Sequence, residues 1–435
     1  MIRPQIISAA CVFAIAWVGR APSASAARPV LAGEATFGAP QGNILVHYAT
    51  SGADAVPPAD GDGDGSPDFV TEVATTAELA LDHFLALGFR RPLDDGALGG
   101  DGRIDIYLRD LNAADGNAGT DSCTLDRCIG YISAENDYAG YSYSSITEAI
   151  RSVVPHEIFH LVQNAYASSQ PATWSEGTAV WAVENLYGPA NSDFERFLSA
   201  FLMRSYRPFE RAVAGFGDAY PYGGALWPYF LEHHFGVGAV VAAWAACEQA
   251  PFLDAVDAAL APLGASVDAA WVEFTRWNWF TASRAQLGPY PAAAGWPQVP
   301  REPPIETDGT IYIEGLSARY VPITVGSRSR IMLAASGGIR IAGWLVAEGR
   351  SFAEGLALAP AQAAPEATIE ATIDAGTYTL VVTGLSRGSI TTAVRVTLDE
   401  PPAPEGDGGG CASTPAPRAT LLWLVAALAW CRRRR

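Results

Sequence analysis

The spacing of apolar positions changes character three times along the chain. Residues 43–48 alternate like a half-buried strand, residues 70–87 repeat apolar positions at helical spacing, and residues 104–108 and 129–133 read as further strands. Loops rich in Asp and Gly separate these runs. From residue 144 to about residue 283 the pattern turns helical, in long segments bearing Ala, Leu, Trp and Phe. Residues 286–304 are Pro-rich and aperiodic and read as a linker. Short β-type runs then recur at 310–313, 320–325, 330–334, 368–373, 377–382 and 391–398, divided by Gly and Ser turns. That rhythm fits a sandwich of roughly 100 residues. The expected architecture is an α+β domain over residues 27–285, with a mixed N-terminal and a helical C-terminal subdomain, followed by an all-β sandwich over 305–399.

Both ends carry targeting patterns. Arg3, the apolar run 6–18 and the small residues Ala24-Ser25-Ala26 compose a signal peptide over 1–26. Its apolar run is too short to span a bilayer comfortably, so cleavage and export are expected. Residues 400–418 form a Pro, Asp and Gly linker that holds Cys411, and residues 419–435 are an apolar helix closed by four arginines. An apolar segment ending in a basic block is a membrane stop with its charges inside. This layout resembles the myxobacterial C-terminal sorting signal. The resemblance implies cleavage near Cys411 by a sorting protease, lipid attachment there, membrane anchoring and display on the cell surface at the outer membrane.

Composition narrows the picture. Of 435 residues 49% are apolar and 12 are Trp, enough for a large core. The net charge of −18 excludes a nucleic-acid partner, which needs a basic face. All 28 basic residues are Arg. Outside the cytoplasm disulfides persist; Cys123 and Cys128 close a short loop and are the expected pair, while Cys247 sits in an apolar stretch as a buried thiol.

The chemistry centres on His156-Glu157-Ile158-Phe159-His160. Histidines four apart on a helix project from one face, shared here with Val153 and Gln163, and can grip one ion. Glu157 stands one step round, where it can reach a water beside the ion without ligating. Glu176, sixteen residues beyond His160 in Trp174-Ser175-Glu176-Gly177, is the natural third ligand, returned by a loop on a second, antiparallel helix. Two imidazoles and a carboxylate compose a catalytic zinc set with one position open. Pro155 removes a backbone donor and is expected to kink or start the helix at that point.

At these residues the chain resembles the gluzincin metallopeptidases, specifically a family of myxobacterial secreted metalloproteases. The likeness spans residues 43–229, including Gly100-Asp101-Gly102-Arg103-Ile104-Asp105-Ile106-Tyr107-Leu108 and Glu135-Asn136-Asp137-Tyr138. It implies a zincin-like catalytic fold, zinc on His156, His160 and Glu176, Glu157 as general base, and hydrolysis of extracellular protein or peptide substrates. Gluzincins often steady the oxyanion with a Tyr or His from a later helix; Tyr222 is the candidate, with Tyr220 its rival. His233 and His234 are adjacent, point different ways, and are expected outside the site. The piece Ala375-Gly376-Thr377-Tyr378-Thr379-Leu380-Val381-Val382 resembles the late strand of bacterial pre-peptidase C-terminal domains, which commonly trail secreted proteases.

An acidic loop adds a second ion. Asp60, Asp62 and Asp64 alternate with glycines, and Ser66 and Asp68 extend the series, as in the opening of a calcium loop. The twelfth position is Thr71 where an EF-hand needs Glu, so the last ligand is open. The competing reading of the whole chain is a non-catalytic surface or adhesion protein that keeps the zinc fold and binds through its sandwich. An intact Glu157 favours catalysis.

Overall fold

Five strands open the chain: β1 (Ala35–Gly38), β2 (Ile44–Tyr48), β3 (Ile104–Arg109), β4 (Gly116–Thr124) and β5 (Arg127–Glu135). They form one sheet in the order β1-β2-β3-β5-β4. The central three run parallel, and β1 and β4 are antiparallel edges. The structure, a computed structural model, describes residues 27–399 apart from 113, 189–192, 212–216, 337–338, 362–365 and 389. The expected leader, Cys411 with its linker, and the apolar helix with its Arg tail lie outside the described residues.

Alternation decides which face of this sheet carries helices. Ile44, Val46, Ile104, Ile106, Leu108, Ile132 and Ala134 are buried under α1 (Asp68–Ala86) and α2 (Ile146–Asn164). The opposite face is polar. There the Arg28 guanidinium is held by the carboxylates of Asp95, Asp105 and Asp121, and His47 bridges Asp105 and Glu34 at 2.8 and 2.9 Å. Burial would strip the Arg28 charge, but the three carboxylates outweigh it and keep the guanidinium firmly protonated. Cys123 and Cys128 are opposed across the β4–β5 hairpin and joined as a disulfide; Cys247 is a buried free thiol.

Seven further helices follow: α3 (Ala172–Tyr187), α4 (Asp193–Leu202), α5 (Tyr220–Gly223), α6 (Leu226–Phe235), α7 (Val237–Ala246), α8 (Phe252–Leu260) and α9 (Val267–Trp277). Their core is aromatic, with Trp174 stacked on Trp244 and Phe209, Trp227, Trp271 and Phe274 in mutual ring contact. The expected linker is packed, not solvated. Tyr290, Ala293, Trp296 and Val299 are buried, and the Tyr290 hydroxyl donates to Asn278 Oδ1 at 2.6 Å. Its aperiodicity reflects a chain threading over aromatic rings with no regular backbone pairing.

The C-terminal region is a two-sheet, antiparallel β-sandwich-like unit. Its strands are β6 (Asp308–Glu314), β7 (Ala318–Val325), β8 (Ser329–Ser336), β9 (Ile341–Ala347), β10 (Leu356–Ala361), β11 (Glu366–Ile373), β12 (Gly376–Gly384) and β13 (Thr391–Asp399). The sheets are β10-β9-β12-β7 and β11-β8-β13-β6. The sequence reading misses β9 because both of its faces are buried, which erases alternation. Ile341 and Leu345 enter the sandwich core, while Ala342, Trp344 and Val346 join the core of the helical region. The Tyr320 hydroxyl donates to the Thr275 carbonyl at 2.8 Å, the Thr275 and Thr383 hydroxyls meet at 2.8 Å, and Trp279 stacks on Tyr320 at 5.8 Å.

Candidate metal centre

Helix α2 begins where Ser145 accepts the Glu148 amide at 3.0 Å and the Glu148 carboxylate accepts the Ser144 amide at 2.6 Å. It continues through Pro155, so the helix start expected there is corrected: the helix begins at Ile146. The missing proline N–H deprives only the Arg151 carbonyl, and Arg151 lies on the exposed side where water can serve it. His156 and His160 therefore face the same way, with ring centroids 4.7 Å apart.

Helix α3 brings Glu176 across. Its Oε2 lies 3.2 Å from His156 Nε2 and 3.3 Å from His160 Nε2. Zinc bonds of about 2.0–2.1 Å at tetrahedral angles separate ligand atoms by about 3.3 Å, so this donor set fits a zinc ion. Burial would push the Glu176 carboxyl up, but the His160 and His156 rings prevail and hold it far below the carboxylate range. Burial opposes a charge on His160, yet Glu176 brings its pKa up to about 9. Glu176 and His160 thus form a charge pair in which each favours the ionised form of the other.

Glu157 lies beside them, 6% exposed, with Oε2 free of any protein partner. Burial pushes its carboxyl up against the opposing pull of His160 and His156. Its room comes from β4: a Cβ on Gly116 would stand 3.0 Å from Glu157 Cγ and 3.1 Å from Oε1. Gly177 does the same for α3, where a Cβ would meet the Gly224 backbone at 2.8 Å. That close approach carries α5 to the site.

The ring of Tyr222 stacks on His156 at 6.0 Å and leans on Phe197 at 5.0 Å. Burial first, then the Glu176, Glu157 and Asp115 carboxylates, push its hydroxyl well above the usual range, so it remains a hydrogen donor. Tyr220 is committed elsewhere, donating to the Arg207 carbonyl at 2.8 Å and stacking on Phe201. His233 and His234 pack on Tyr229 and Phe230, apart from the centre. The cleft beside His156 is completed by Asp115, Tyr143, Asp193 and Arg196, none of which the sequence reading singled out. Tyr143 donates to Asp115 at 2.5 Å, and Arg196 pairs with Asp193 at 3.0 Å. Asp115 and Tyr143 come from two separate loops and Asp193 and Arg196 from the first turn of α4, with no shared motif. Gln163 was noted only for its face; its amide lies 2.8 Å from His160 Nδ1.

The acidic loop gathers the Asp60, Asp62 and Asp64 carboxylates within 4.8 Å of one another, all exposed. The Asp68 carboxylate is not within that grouping. The Ser66 amide donates to Asp64 Oδ1 at 2.7 Å, and Asp68, the first residue of α1, accepts the Gly61 amide at 3.0 Å.

No protein-family model matches the chain, and no curated protein is similar to it. Among solved structures it is similar to the pre-peptidase C-terminal domain of collagenase from Bacillus anthracis, at 18% identity over 24% of this chain and 100% of that one, with a TM-score of 0.19. It is also similar to PliG, a periplasmic lysozyme inhibitor of g-type lysozyme from Aeromonas hydrophila, at 8% identity over 23% and 98% of the two chains, TM-score 0.18. A third is a family GH115 4-O-methyl-α-glucuronidase, at 12% identity over 58% and 41%, TM-score 0.16.

Proposed function

We propose that this chain is a zinc-dependent metalloendopeptidase with a zincin-like catalytic domain, exported and held at the cell surface. The observation that carries the reading is the convergence of His156, His160 and Glu176 from two helices beside a buried Glu157 with one unpartnered oxygen. His156, His160 and Glu176 would hold a zinc ion, which would supply Lewis acidity to polarise a carbonyl and acidify water. Glu157 takes the proton from the attacking water and passes it to the departing amine nitrogen. Tyr222 keeps its phenolic hydrogen and donates it to the carbonyl oxygen as charge develops there. The outer edge of β4 is paired with no described strand, and its backbone can align an extended peptide past Glu157.

The Asp60, Asp62 and Asp64 carboxylates, with Ser66 and Asp68, form in this reading a calcium loop that stiffens the entry to α1. Export and surface display rest on the leader over 1–26 and on the sorting pattern around Cys411. The decisive test compares wild type with Glu157→Gln for bound zinc and for hydrolysis of casein and peptide libraries. Both should hold zinc, and only wild type should cleave. A zinc-loaded wild type as inert as the variant would sink the peptidase reading in favour of a binding protein. For the loop, a thermal midpoint that calcium and a chelator leave equal would remove the calcium assignment.

A further inference from the structure

Gln163 lies nearly one turn beyond His160 on α2 and is 3% exposed, so every polar atom of its amide must find a partner in protein. One end of the amide lies 2.8 Å from His160 Nδ1. The other lies 2.7 Å from the Ser175 carbonyl and 3.0 Å from Thr178 Oγ1. The identity of each end follows from the neighbours. The Trp244 indole can only donate, and it reaches Thr178 Oγ1 at 3.2 Å. Thr178 sends its own hydrogen to the Trp174 carbonyl at 2.6 Å. The Ser175 carbonyl can only accept. Both groups at this end therefore require hydrogens from Gln163, which makes it the NH2 end and turns Oε1 towards His160. An oxygen facing Nδ1 accepts, so Nδ1 carries a hydrogen, and Nε2, 3.3 Å from Glu176 Oε2, is the nitrogen left to ligate a metal once it gives up its own proton.

We infer that Gln163 is a positioning residue that fixes the His160 tautomer, presents Nε2 to the metal, and sets the spacing between His160 on α2 and Glu176 on α3. The second role follows from the bond to Ser175, the residue next to Glu176: one buried amide holds a ligand of each helix in register. Because the amide is neutral, it orients the imidazole without adding charge to the donor set. Partners of this kind outside the ligand set typically change metal affinity by ~10–100-fold when removed.

The inference rests on zinc binding at these residues, and its test separates the two. In the 15N-labelled, zinc-loaded protein, long-range 1H–15N correlation spectra read which His160 nitrogen bears hydrogen. Nδ1 is expected to be protonated and Nε2 ligated. Gln163→Met keeps length and apolar volume but removes both bonds, and its zinc dissociation constant should rise ~10–100-fold. Ligation of wild-type His160 through Nδ1, or a folded Gln163→Met with wild-type zinc affinity, overturns the inference. Should Gln163→Met not fold, the wild-type tautomer decides alone. A protein that takes up no zinc at His156, His160 and Glu176 overturns the zinc reading itself.

Discussion

Gly177 and Gly224 touch so closely that a single added methyl on Gly177 would stand 2.8 Å from the Gly224 carbonyl carbon. Glu176 precedes the first glycine and Tyr222 lies two residues before the second, so this contact sets how near the carboxylate ligand and the phenol come. Gly177→Ala must push α3 and α5 apart. Overpacking of this kind costs about 1–3 kcal/mol, and the displacement acts on the site directly. The expected result is a lower thermal midpoint with hydrolysis reduced more than tenfold, while zinc still binds through His156 and His160. Unchanged hydrolysis would show that Tyr222 does not depend on this contact.

The candidate metal site was legible because its residues are marked locally: two histidines one turn apart, a carboxylate between them, and a Trp-x-Glu-Gly piece at workable spacing. The elements that frame them were less so. Strand β4 is polar along most of its length, since as an edge it has little apolar surface to bury, and no alternation marks it. Strand β9 fails for the opposite reason, being buried on both faces. Asp115 comes from the loop before β4 and meets the α4 pair Asp193 and Arg196 only in the folded cleft. Arg28 is the extreme case, a lone arginine two residues past an expected cleavage site whose three partners lie 67, 77 and 93 positions away.

Arg28 should be a stability determinant. Its side chain is 10% exposed and faces Asp95, Asp105 and Asp121, themselves 5%, 0% and 7% exposed. Removing the guanidinium that pairs with all three carboxylates leaves buried charge under-compensated, a loss of about 3–5 kcal/mol. Chemical denaturation of Arg28→Leu should register that loss, with partial recovery as pH falls and the carboxylates take up protons. A midpoint equal to wild type at pH 7 would mean the cluster is already balanced without Arg28.

Glu184 offers a test of pH dependence away from the metal ligands. Burial first, then the charges of Glu195 and Glu232, raise its pKa from 4.5 to about 7. A carboxyl with a raised native pKa holds its proton more tightly folded than unfolded. Its favourable contribution is complete below about pH 4.5 and is lost as pH rises through 7. Glu184→Gln removes this penalty. The variant should match wild type in acid and exceed it above pH 7 by about 1 kcal/mol, after discounting for partial exposure. Parallel thermal-midpoint curves across pH 4–8 would contradict the assignment.

The sandwich should prove inseparable from the helical region that holds His156, His160 and Glu176. Its β9–β12 sheet buries Ala342, Trp344, Val346 and Val381 in the helical core, and Arg340 and Arg387 pair with Asp268 and Asp254 around that contact. The link reaches the ligands. The Leu316 carbonyl accepts the Phe209 amide at 2.9 Å, and the Phe209 carbonyl accepts the Thr173 hydroxyl at 2.6 Å, three residues before Glu176 on α3. A chain ending at residue 304 would expose Trp279, Phe280 and Thr275 and release this strap. Exposed aromatic surface of that extent favours aggregation. The truncated protein should be largely insoluble, and its soluble fraction should bind zinc more weakly than the full chain. A soluble fragment with full zinc affinity and one cooperative melt would instead establish the sandwich as a detachable module, free to bind partners of its own.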